Sequence, residues 1–267
     1  MKPSKLERGK GIKLMVFGVP GAGKTRFLST TPRTLIIRPP TDSTHAIQET
    51  ENVSEIVVRD WPDMWEVFEY LQQGGFEEHD WVWLDSISLF QDFGLDDVFS
   101  DAVDRKPSRK EYGPDKGEYG INMGRLAKWI RDMSGLCDTG AFNMGITAHP
   151  FEWYDPVREE DVWAPFVQGK NMSPKICGYM TIVAYLAEIK KKEDSSETQR
   201  VLYSASEGFF GKDEFDCFPT LKSGKRGIVD PTMPKLLKAI KASTGSSSSG
   251  TKTKKTNRRP ARRATKK

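Results

Sequence analysis

Eight consecutive residues, Gly18–Val19–Pro20–Gly21–Ala22–Gly23–Lys24–Thr25, have types and spacing suited to holding a polyphosphate. A glycine, four arbitrary residues and then Gly-Lys-Thr is the phosphate-loop pattern. Backbone N–H groups converge on a phosphate only where side chains do not block them, so glycines stand at the turn. A helix starting at Lys24 adds unpaired donors and a partial positive charge. In such a loop the lysine reaches the β- and γ-phosphates and the threonine hydroxyl sits on Mg²⁺. The predicted nucleotide-binding set is therefore Gly18, Pro20, Gly21, Ala22, Gly23, Lys24, Thr25 and Arg26.

Two further groups fit beside it. Asp85 ends the apolar run Trp81–Leu84, and a carboxylate at a strand tip is the expected second partner of Mg²⁺, often through water. Ser86 can hold that water or the neighbouring loop. Thr147 and His149 follow the apolar strand Ala141–Thr147; in a parallel sheet they emerge on the ligand edge, where a polar side chain senses the γ-phosphate or polarises water. The bland alternatives are an acidic turn at Asp85, and a strand cap with a surface histidine at Thr147 and His149.

The elements that must position these residues read as a strand at Ile12–Phe17, a helix at Lys24–Ser29 and strands at Thr34–Ile37 and Ser54–Val58. A helix over Asp60–Gln73 buries Met64, Val67, Phe68 and Leu71 at spacings of three and four. Ser43–Thr50 reads as a short helix and Ile121–Met133 as a longer one. Ile182–Lys190 and Val201–Ser206 form a strand pair across a polar connection, and Met233, Leu236, Leu237 and Ile240 mark a last helix. Two stretches lose periodicity and read as long loops, Gln91–Tyr119 and Phe151–Ser173. Short apolar strands alternating with helices predict an α/β fold, a mostly parallel sheet covered by helices, with a C-terminal strand pair.

Composition narrows the class. With 37% hydrophobic and 29% charged residues and no run of eighteen apolar residues, no membrane span is expected. The N-terminus is basic without an apolar stretch, so no secretory signal is expected. Cys137, Cys177 and Cys217 are widely spaced and the three histidines scattered, which predicts reduced thiols in a cytoplasmic setting and no zinc site. The net charge of +4 conceals a split. Ten of the 41 basic residues, and no acidic one, fall in 241–267, leaving 31 basic against 37 acidic before them. The expected organisation is an arm at 1–11, one ATPase domain at 12–240 and a disordered basic tail at 241–267.

Taken together, a strand running into GVPGAGKT, then WVWLDS, then a strand ending TAH resembles the RecA-like ATPases encoded by phages, including their single-strand-annealing relatives. The resemblance covers roughly residues 12 to 230, and only the phosphate loop is highly specific. It implies a RecA-like P-loop core, ATP and Mg²⁺ as cofactors, and action on single-stranded DNA in recombination, annealing or repair. It also implies a homo-oligomeric ring or filament, other recombination proteins as partners and, for a phage protein, the cytoplasm of a bacterial host. In that family a polar residue at the position of Thr147, Ala148 or His149 couples nucleotide to a DNA-contacting loop, here 151–173. A glutamate after the second strand activates water in those relatives; this chain has Pro39 and Pro40 there, with Asp42 the nearest substitute. Weak or partner-dependent turnover is the consequence. Lys212 loosely matches a basic residue that reaches a neighbouring subunit's γ-phosphate, against the plainer reading of a solvent-facing lysine.

Three regions are candidate DNA contacts. The tail, with Arg258, Arg259, Arg262 and Arg263, suits sequence-blind phosphate binding. Trp153, Tyr154, Trp163 and Phe166 lie among Arg158, Lys170 and Lys175, a composition suited to base stacking, although five nearby carboxylates oppose it. Arg105, Lys106, Arg109, Lys110 and Lys116 form the third. Rival readings are a nucleotide-dependent DNA-binding module without hydrolysis, and a nucleotide kinase, for which the expected arginine-rich lid is not evident.

Overall fold

The computed structural model describes residues 11–41, 50–169, 171–191, 196–204 and 208–246. Asp42, the helix expected at 43–50 except its last residue, Lys170 and the tail arginines lie outside them.

The strand β1 (Lys13–Phe17) shows how the layers arise. Successive side chains of a strand point to opposite faces. Leu14 and Val16 therefore join Phe27 and Leu28 of α1 (Lys24–Ser29) and Met233, Leu236 and Ile240 of α6 (Met233–Ser246). Met15 and Phe17 face the other way, toward α2 (Trp61–Gln72), α3 (Ile87–Arg105), α4 (Lys116–Asp138) and α5 (Met172–Tyr179). A sheet is thus buried between two layers of helices, and its central strands are mostly apolar.

The other strands are β2 (Thr34–Arg38), β3 (Val53–Val57), β4 (Trp81–Leu84), β5 (Asn143–Ala148), β8 (Ile182–Lys190), β9 (Thr198–Tyr203), β10 (Lys212–Asp213) and β11 (Gly227–Val229). Their order across the sheet is β3-β2-β4-β5-β1-β8-β9-β11, with β10 alongside β8. From β3 to β8 every pairing is parallel, and β9, β10 and β11 are added antiparallel. Parallel strands put all their C-terminal ends on one edge. Phe17, Leu84 and Ala148 end there, with β1 next to β5 and β5 next to β4.

Both expected long loops are ordered structure. Gln91–Tyr119 is largely helical: α3 runs to Arg105, a 3-10 turn covers Pro107–Glu111, and α4 already starts at Lys116. These segments are held by groups that hydrophobic periodicity does not register. Asp115 caps α4, its side chain accepting from Gly117 and Glu118 N–H, and Glu118 returns a bond to the Asp115 N–H, a capping box. Arg109 bridges Asp115 and Glu118 at 2.7 Å each, and Arg125 pairs with Asp97. The segment 151–173 begins as a hairpin, β6 (Pro150–Asp155) against β7 (Glu160–Pro165), and ends in α5. Val162 and Ala164 are buried while Asp161 and Trp163, which alternate with them, are exposed, the pattern of a half-buried strand. The last helix, α6, continues past the boundary drawn at 240.

Candidate nucleotide site

The loop leaves the end of β1 and turns directly into α1. Gly21 and Gly23 have φ of 83° and 94°, the left-handed region that residues with a Cβ avoid. Gly18 is demanded by space: a Cβ there would lie 2.4 Å from the carbonyl oxygen of Leu186 on β8. The first glycine of the motif thus permits the neighbouring strand to approach, while the other two shape the turn. Lys24 is buried, its Nζ donating to the carbonyls of Gly18 at 2.8 Å and Val19 at 3.3 Å, which holds the cation over the loop.

Asp85, at the tip of β4, is only 4% exposed and accepts hydrogen bonds from two hydroxyls. Thr25 Oγ1 donates to its Oδ2 at 3.0 Å and Thr147 Oγ1 to its Oδ1. The loop, the β4 tip and the end of β5 therefore meet in one cluster. Adjacent ligands of an octahedral Mg²⁺, with bonds of about 2.0–2.1 Å, lie roughly 2.9 Å apart. The Thr25–Asp85 separation fits that spacing, and both are the hard oxygen donors this ion takes. Ser86 Oγ, buried beside them, has no hydrogen-bond partner among the described residues. Among those residues no cluster of three His, Cys, Asp or Glu side chains exists to hold a metal on its own, so one carboxylate, hydroxyls and phosphates are what a cation would find.

These groups border a cleft of about 420 Å³, lined by the phosphate loop with Lys24, by Asp85, Ser86, Leu89 and His149, and by Arg26 and Arg200. Arg200 is a functional candidate that the sequence alone did not single out. It stands on β9 and donates from Nε to the Ala22 carbonyl at 3.1 Å, across 178 positions of sequence. No local pattern signals it; only the β8–β9 pairing carries it to the loop.

A sequence profile described as an AAA domain matches residues 10–215. The chain belongs to the AAA domain family. It is accordingly an α/β P-loop protein of ATPase type. A search of curated proteins finds no match.

The remaining predicted residues are scattered. His149 lies on the cleft, and its backbone N–H donates to Ser88 Oγ at 3.0 Å. Ser88 donates to the Phe166 carbonyl at 2.9 Å, and Gln91 accepts from the Gln168 N–H at 2.7 Å, so the first turns of α3 strap both ends of the β6–β7 hairpin next to the site. Trp153 packs edge-on to Phe210, whereas Tyr154, Trp163 and Phe166 are exposed. Arg105, Lys106 and Lys110 lie at the far end of α3, and Arg109 is committed to its acidic partners. A helix of 19 residues puts that end roughly 28 Å from Asp85. Lys212 is turned away: its amine contacts the Met180 carbonyl at 2.5 Å and Glu214 at 2.7 Å, beside the start of β1 and opposite the phosphate loop. Among the described residues no helix is long and apolar enough to cross a membrane.

Proposed function

We propose that this chain is a Mg²⁺-dependent, RecA-like ATPase that acts on single-stranded DNA in recombination, annealing or repair. The observation that carries the reading is the Thr25–Asp85–Thr147 cluster, because it joins the phosphate loop to the strand from which the hairpin issues. ATP is held by the loop amides and Lys24, with Mg²⁺ on Thr25 and Asp85. When bound, the metal neutralises charge on the β- and γ-phosphates. Thr147 orients the Asp85 carboxylate, and His149, which also lines the cleft, is the candidate for accepting a proton from water. Loss or gain of the γ-phosphate changes what Asp85 and Thr147 contact, and Ser88 links that change to the hairpin.

The exposed Tyr154, Trp163 and Phe166 supply stacking faces for bases, and the basic tail supplies phosphate contacts. Nearness to the cleft favours this hairpin over the Arg105–Lys116 segment as the strand-responsive element. A ring or filament is the assembly this reading entails, with other recombination proteins as its partners and a phage as its source. The test is phosphate release with and without single-stranded DNA, in the native chain, Lys24→Ala and Trp163→Ala. Stimulation by DNA that is abolished by the first substitution and reduced by the second is expected; full turnover in Lys24→Ala overturns the assignment. One observation favours a second reading, nucleotide-gated DNA binding without hydrolysis: among the described residues, Asp85 is the only carboxylate lining the cleft. Nucleotide-dependent DNA binding with no phosphate release would select it.

A further inference from the structure

The outer face of the β6–β7 hairpin carries two aromatic rings and two carboxylates in a chequerboard. Residues directly opposite in an antiparallel pair share a face, so the register sets Glu152 beside Trp163 and Tyr154 beside Asp161. All four side chains are exposed. Each ring thus has a carboxylate as its neighbour both across the hairpin and along its own strand. Near the turn, Asp155 and Glu160 already face Arg158 at 3.5 and 3.8 Å. Glu152 and Asp161 have no ion pair among the described residues.

A ring flanked by a carboxylate seats a guanidinium, which lies flat on the aromatic face while its N–H groups donate to the acid. Both seats are fixed in advance. Trp153 packs on Phe210 behind the hairpin. The Trp163 N–H donates to the Gly208 carbonyl at 3.0 Å, and the Trp163 carbonyl accepts from the Phe210 N–H at 2.8 Å. A surface already ordered spares its partner that cost.

We infer that the occupant of this face is segment 258–263 of the same chain, with sequence RRPARR. Its charge is the complement, since residues 241–267 include ten basic and no acidic side chains. Its tether is long enough. Arg263 follows Ser246, the end of α6, by seventeen residues, a reach of up to about 56 Å. A folded body of this size is only about 45 Å across. Tethering also gives the segment an effective concentration on the order of millimolar, which favours its own hairpin over that of a second copy. The contact stands without the proposed function, and only its consequence draws on it. In that reading the same rings and arginines serve DNA, so a strand must displace the segment before it can use either.

Zero-length carbodiimide cross-linking of the full chain tests the docking, with labelled and unlabelled chains mixed and the joined peptides mapped by mass. Lysines of the tail are expected to join Glu152 or Asp161 within one chain at least about fivefold more often than exposed carboxylates elsewhere, such as Glu66 and Glu78. The excess should vanish at about 0.5 M salt. Tyr154→Ala with Trp163→Ala keeps both acids and should lower it at least about threefold. Glutamine at Arg258, Arg259, Arg262 and Arg263 leaves the tail lysines to report and should abolish it. That variant alters no described residue, so it decides the matter even where the ring variant fails to fold. Tail lysines that join carboxylates indiscriminately, joints formed only between chains, or an excess that survives loss of the arginines overturn the inference. No nucleotide or DNA enters the experiment, so its failure leaves the proposed function standing.

Discussion

Replacing Gly18 with alanine tests whether the first loop glycine is there for the protein or for the phosphate. The added Cβ would lie 2.4 Å from the Leu186 carbonyl oxygen, and such contacts are essentially never shorter than 3.0 Å. The end of β1 and β8 must therefore separate by at least 0.6 Å, against backbone that cannot rotate away. Forced expansion of a packed interior costs about 1–3 kcal/mol. In a domain of this size each kcal/mol lowers the melting temperature by about 2–4 °C, so a fall of about 2–12 °C is expected without nucleotide. Gly120→Ala is the control: it lies within α4, and a Cβ there meets nothing within 4 Å. That change should stabilise by about 0.5–1 kcal/mol, the opposite sign. Thermal melts by circular dichroism without ligand measure both. If Gly18→Ala melts with the native chain, the close approach of β8 does not explain the glycine.

Other substitutions probe the rest of the site. Thr147→Val keeps the volume but removes a hydrogen bond to a buried carboxylate; a stability loss of about 2 kcal/mol is expected, together with a fall in phosphate release of about tenfold or more if Thr147 orients Asp85 as proposed. Ser88→Ala should speed amide exchange across residues 150–165 while leaving the core of the sheet protected, as read by mass spectrometry. Burial pushes the thiols of Cys137, Cys177 and Cys217 up from 9.0 to about 12. They should therefore alkylate at pH 8 about a thousandfold more slowly in the folded chain than when unfolded. Because their folded values are raised, the stability associated with them is intact below pH 9 and declines as pH rises toward 12. Chemical denaturation at pH 8 and pH 10.5 should show the loss, and serine at all three positions should diminish it.

The phosphate loop, β4 and β5 were legible because each is coded locally: a fixed spacing of glycines, or an unbroken apolar run ending in a polar residue. Asp85 and Thr147 could be named from their places at strand ends, although nothing local showed that one bonds the other. Amphipathic helices such as α2 were legible for the same reason, with an N-cap at Asp60 and Pro62 near the start. The later half of α3 was missed because much of its surface is exposed and charged, and its order comes from ion pairs such as Arg125–Asp97. The hairpin was missed because Trp163 and Tyr154 stand exposed among its apolar positions and blur the period of two. Arg200 was invisible in the sequence for a different reason, since what matters about it is a neighbour 178 residues away.

The abrupt start of α3 has a mechanical corollary. Its first residue, Ile87, comes two positions after Asp85, and the rod continues for 19 residues to Arg105. A tilt of about 5° at the Asp85 end would sweep the opposite tip through roughly 2 Å over a length of roughly 28 Å. The cluster of Arg109, Asp115 and Glu118 near that tip couples the sweep to the start of α4. A rearrangement too small to see around the carboxylate would then be broadcast, enlarged, to a surface on the far side of the molecule.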